Sequence, residues 1–226
     1  MAEILSGYGE SLILAGRMDD AKSPLDEALS LARELNNDGL VAQTLGFQGD
    51  ALFYKGNYGA AHALYDQALQ AATRSKQPEP ERVLRAKIAL AEVQVREKKG
   101  PAVIANLRTL MQQADETGLK YSAVECQLFL AEAMLEAHDA THARQELDRA
   151  LLRSDKQGQQ ALSARAHYLL GTVARQSNDK AAARDHFRSA VDMLDTMKKD
   201  QGAENLLQRS DLKSVYEDAG NWLKGN

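Results

Sequence analysis

Small and large apolar residues recur along this chain with a period near 40. Gly9, Gly49, Ala91, Ala131 and Gly171 form one column, spaced 40, 42, 40 and 40 residues apart. Twelve residues after each stand Ala21, Ala61, Val103, Ala143 and Ala183. Four later come Leu25, Tyr65, Leu107, Leu147 and Phe187, and three further on Ala28, Ala68, Leu110, Ala150 and Ala190. Offsets of four, three and one put Ala61, Tyr65, Ala68 and Leu69 on one face of a helix, while Gly49 lies on the helix before it. Small side chains let two antiparallel helices approach closely, and the large residue is expected to fill the gap toward the next unit. Each unit therefore predicts a helical hairpin.

Helix breakers fall at matching points. AGRMDDA, KGNYGAA, KKGPAVI, AHDATHA and SNDKAAA mark the turn inside each unit, and LNNDGL, SKQPEPER, TGLKY and KQGQQ separate the units. These breaks predict helices near 2–15, 19–35, 39–55, 58–75, 80–97, 101–117, 120–137, 140–155, 159–176 and 180–198. The repeat units are then about 2–38, 39–79, 80–119, 120–158 and 159–198, followed by a C-terminal capping helix within 199–226. The apolar stripe of that cap is Leu206, Leu207, Leu212, Val215, Tyr216 and Trp222, mainly over 204–223. The third unit departs from the pattern at Gln94, Val103 and Leu110, which predicts a different packing angle there.

These columns resemble the tetratricopeptide repeat, and the second unit, GDALFYKGNYGAAHALYDQAL, carries the likeness best. The period near 40 is similar to the longer-helix variant found in kinesin light chains and bacterial regulators. LKYSAVECQLFLAEAM and HARQELDRALLRSDKQG resemble C-terminal repeat regions of bacterial multidomain serine/threonine kinases. The resemblance implies an all-α, right-handed α-solenoid of five such hairpins plus the capping helix, working as a protein-interaction scaffold. It also implies that the first helix of each unit lines a concave groove for a peptide or helix of a partner.

In that groove the alignment places Glu10 and Leu14; Gln43, Phe47, Asp50, Phe53 and Tyr54; Arg85, Glu92 and Arg96; Glu125, Phe129, Glu132 and Glu136; and Arg165, Tyr168 and Arg175. Phe47, Phe53, Tyr54 and Phe129 are the candidate anchors, with about half of the four expected to be substantially exposed. Glu10, Asp50, Glu92 and Glu132 form an acidic ladder, broken by Thr172. Either it faces a basic or helical peptide, or its carboxylates are simply hydrated, and the second alternative is slightly favoured. The family's carboxylate clamp for chaperone C-termini would need Lys and Asn where this chain has acids and apolar residues.

No comparable cap precedes the first repeat helix. This predicts self-association as a homodimer through residues 1–35, or membership of a longer signalling protein whose preceding helices cover the first unit.

Composition narrows the function classes. The 226 residues are 44% apolar, 27% charged and only 5% aromatic, as suits an all-α chain. The net charge is −4, with −5 over residues 1–80 and +1 over 81–226, so no cationic surface invites nucleic acid. The single Cys126 lies in SAVECQLFL and predicts a small buried apolar residue, not a reactive thiol. MAEILSGYGESLILAG lacks the basic start and apolar length of a signal peptide or membrane span, which predicts a cytoplasmic chain without membrane contact.

No phosphate-binding loop, HExxH or GxSxG occurs, so neither a catalytic residue nor a cofactor is predicted. His138 and His142 straddle the fourth turn, but without further ligands at metal spacing they predict solvated turn residues, and no metal site.

Overall fold

A computed structural model describes residues 1–76 and 79–225. Part of the SKQPEPER break, Gln77 and Pro78, and the last residue of the expected cap segment lie outside the described residues. Among the described residues the structure is all α-helical apart from one short 3-10 turn. The chain divides into two compact units, Met1–Glu97 and Lys98–Asn226.

Unit 1 holds α1 (Ala2–Leu14), α2 (Lys22–Glu34), α3 (Asp38–Tyr54), α4 (Tyr58–Arg74) and α5 (Pro80–Arg96). Unit 2 holds α6 (Gly100–Glu116), α7 (Lys120–Glu136), α8 (Ala140–Lys156), α9 (Gln160–Gln176) and α10 (Lys180–Met197), then a 3-10 turn at Leu206–Gln208 and α11 (Ser210–Gly225). The sequence pattern places the helices within a few residues; the clearest shift is α2, which starts at Lys22 where residue 19 is expected.

Three of the hairpins show how the column pattern closes them. The large residue seats on the small residue of its own hairpin, and Phe187 also meets Trp222 of the helix that follows. A Cβ added to Gly9 would lie 2.5 Å from Leu25, one at Gly49 2.5 Å from the Tyr65 ring, and one at Gly171 2.6 Å from Phe187. Leu25, Tyr65 and Phe187 are buried.

The turns share a second device. The column Gly16, Gly56, Lys98, His138 and Asn178 takes positive φ, from 61° to 80°. In the fourth turn His138 N–H donates to Leu135 O and Asp139 N–H to Met134 O, which satisfies the last carbonyls of α7 by a Schellman closure. Two of the helices after these turns are capped by side chains, Asp139 accepting from His142 N–H and Asp179 from Ala182 N–H, as is α3, where Asn37 accepts from Leu40 N–H.

The C-terminal helix covers the last hairpin. Leu206, Leu212 and Val215 are buried with Ala164, Ala190 and Leu194 of α9 and α10, and Ala219 and Trp222 pack beside Phe187. This cap forms as the apolar stripe predicts, although its α-helix begins at Ser210, later than residue 204. Cys126 is fully buried, its thiol donating to Leu107 O at 3.2 Å. No helix among the described residues is long and apolar enough to cross a membrane.

Candidate interaction surface

In unit 1 the first helices of the repeats, α1, α3 and α5, carry Gln43, Asp50 and Tyr54 along one line and Arg85, Glu92 and Arg96 along another, since seven and eleven residues span two and three turns. Arg85 is exposed, while Gln43, Asp50 and Arg96 are partly so. Asp50 is held from below, accepting the Tyr65 hydroxyl at 2.7 Å. Burial, together with the Asp50 charge, pushes the Tyr65 phenol well above its ordinary range, so it remains a donor. Burial also raises the Glu10 carboxyl, with the Arg85 charge opposing that shift. Gln43 accepts from Arg82, whose guanidinium also meets Glu79 at 2.8 Å.

The aromatic anchors are not at the surface. Phe47, Phe53, Tyr54 and Phe129 are all buried, at most 8% exposed, where about half were expected to be open. First helices are flanked by neighbours on both sides, so side chains one turn apart from the open face are already covered. Phe53 instead packs edge-on against Tyr54 and Tyr58, with centroids 5.7 and 5.3 Å apart. These rings form the floor beneath the polar line.

Unit 2 treats its expected groove residues differently. Arg165 is buried and lies 4.6 Å over the Phe129 ring while donating to Glu132 at 3.1 Å. Glu136 accepts from the Gly100 backbone N–H at 3.0 Å, at the positive start of α6, and meets Lys98 at 3.4 Å. Tyr168 donates to Asp218 at 2.9 Å, and Arg175 reaches the same carboxylate at 3.3 Å, so both hold α11. Burial and the Asp218 charge push the Tyr168 phenol up to about 12. Glu125 stays partly exposed.

The acidic ladder is therefore not a row of hydrated carboxylates. Glu92 is buried, and Asp50 and Glu132 are engaged inside their own units. Leu14, the remaining residue of the expected groove, is 45% exposed.

Sequence reasoning missed the buried Arg209–Asp211 pair, bonded at 3.2 and 2.9 Å. It also missed Asp218, since neither lies in a repeat column. His142 hydrogen-bonds Asp139 in the turn, and among the described residues no group of three or more His, Cys, Asp or Glu could hold a metal ion.

Two family models, both described as tetratricopeptide repeat, match this sequence. One covers residues 1–74, the other residues 48–101 and 128–197, which is more than half of the chain. The chain belongs to the tetratricopeptide repeat family. Among solved structures, this tetratricopeptide repeat chain is similar to BtubC (BKLC) from P. vanneervenii. The two are 18% identical with a TM-score of 0.60, over 92% of this chain and 84% of that one. That likeness is one of fold. No curated protein matches the sequence. As a tetratricopeptide repeat protein the chain is a protein–protein interaction scaffold.

Proposed function

We propose that this chain is a non-catalytic scaffold that holds a peptide or helix of a partner protein on the open face of its first helices, with unit 1 as the main contact. The observation that carries this reading is the contrast between equivalent positions. Arg85 of unit 1 is exposed, whereas Arg165, which stands in its register in unit 2, is buried against Glu132.

The buried floor of Phe47, Phe53 and Tyr54 supports the reading, because it fixes the backbone under the polar line and lowers the cost of ordering it on binding. Arg85 and Arg96 offer planar guanidinium groups three turns apart, suited to carboxylates about three turns apart on a partner helix. Glu10 and Asp50 beside them favour a partner that alternates charge.

Selection of a displayed peptide library on the wild-type chain tests this. Peptides enriched on wild type should lose binding at least about tenfold on Arg85→Glu/Arg96→Glu, a loss of roughly 1.4 kcal/mol or more. Peptides that bind the double variant unchanged would place recognition elsewhere.

A further inference from the structure

The first helix of unit 1 leaves an uncovered apolar strip. Met1, Ile4, Tyr8 and Leu14 are 79%, 72%, 54% and 45% exposed, with Gly7 and Ser11 between them. On a helical wheel the charges of Glu3 and Glu10 fall at its margin, so none interrupts it. Runs of exposed apolar residues on one helix mark contacts; isolated ones do not.

The repeat indicates what such a strip does. In register with Ile4 stand Thr44, Ala86, Cys126 and Ala166, all buried. Thr44 meets Ser6 of α1, and Cys126 donates to α6. In register with Tyr8, Gln48 donates to Asp26 of α2. This is the surface by which a first helix seats on another hairpin.

Gly7 is a second, independent observation. The positions in its register hold Phe47, Ala89, Phe129 and Leu169, none of them glycine and all but Ala89 large. A Cβ at Gly7 would meet nothing within 4 Å, whereas one at Gly9 would strike Leu25. Glycine inside a helix is unfavourable relative to alanine, and nothing in the protomer calls for it at position 7. A second helix crossing at close range would.

We propose that this strip is a homodimer interface, in which α1 of a second copy crosses α1 at a two-fold axis near Gly7. A strip without charge meets its own image without repulsion. The surface that could receive it head to tail, on the last hairpin, is occupied by α11 through Leu212 and Val215. Isologous pairing is then the arrangement that closes. This surface adjoins the polar line proposed above to bind a partner, meeting it at Glu10 and Leu14.

Sedimentation velocity across a concentration series is the test. One crossed helix pair is a small interface, so dimerisation with a Kd on the order of 10 µM is expected. Ile4→Glu and Tyr8→Glu should each weaken it by at least about tenfold, with the helical circular dichroism signal unchanged. Leu152→Glu, at an exposed site on α8, should leave it intact. Gly7→Ala should raise the Tm of the dilute monomer yet weaken the dimer, two effects of opposite sign. A wild-type chain that stays monomeric, a dimer that survives both glutamates, or a Gly7→Ala variant that dimerises more tightly would each overturn the proposal.

Discussion

Gly49 and Tyr65 pack as a matched pair: a Cβ at Gly49 would lie 2.5 Å from the Tyr65 ring, and the hydroxyl of that ring donates to Asp50, the next residue on α3. The ring is fixed at both ends and cannot swing aside. Gly49→Ala gains about 1 kcal/mol of helix propensity but overpacks a buried site, which typically costs about 1–3 kcal/mol. The expected outcome is a net loss of about 1 kcal/mol, read by urea unfolding as a lower midpoint with an unchanged slope.

The turn column holds Gly at 16 and 56 but Lys98, His138 and Asn178 in later copies, all at positive φ. An L side chain in that conformation costs roughly 1–2 kcal/mol, less for Asn. Lys98→Gly and His138→Gly should therefore each stabilise the chain by about 1 kcal/mol, and Asn178→Gly by less. Thermal unfolding of the three single variants checks the order. Equal shifts, or losses, would show that the side chains contribute more than the backbone strain they cause.

The hairpins were legible because Gly9, Gly49 and Gly171 each need a large partner sixteen residues on, and that spacing survives changes of identity from Leu to Tyr to Phe. The cap was legible for a similar reason, since Leu212, Val215 and Ala219 repeat with helical spacing. The interaction surface was less so. On α7 the buried set runs from Ser122 to Met134 almost without a gap, so periodicity cannot separate a groove position from one covered by a neighbour, and Phe129 looks like an anchor when it is floor. Charged residues mislead in the same way. Glu136 caps α6 thirty-six residues away in sequence, and Asp218 takes both Tyr168 and Arg175. Such long-range pairs leave no local trace.

Arg165 and Glu132 form a buried pair whose disruption should be costly. Their side chains are 3% and 13% exposed, and removing one member of a buried pair leaves the other charge without its counterpart, at about 3–5 kcal/mol. Arg165→Met should approach that figure in chemical denaturation. Arg165→Met/Glu132→Leu should recover most of it, because apolar groups of similar volume suit the Phe129 surroundings. A double variant as unstable as the single one would assign the loss to packing of the guanidinium stem, not to the charge left behind.

His167 on α9 and His186 on α10 face each other, Nδ1 to Nδ1, at 3.0 Å. One ring donates and the other accepts, an arrangement that two imidazolium rings cannot make. Burial lowers both pKa values; the His186 charge adds to this at His167, while Asp155 opposes it there and Asp148 and Asp185 oppose it at His186. A folded-state pKa below the unfolded value of about 6.5 means the unfolded chain binds more protons between the two values. Stability is then fully present above pH 6.5 or so and falls as the pH drops from there toward the folded-state values, levelling off below them. Thermal unfolding of wild type between about pH 8 and pH 5 should show that decline. His167→Gln and His186→Gln should each flatten it, since an amide keeps one hydrogen bond and cannot charge. An unchanged slope in both variants would remove this pair as the source of the decline; the carboxylates held low by their partners, Asp38 beside Arg74 and Asp139 beside His142, lose their contribution only below the ordinary carboxylate range, outside this window.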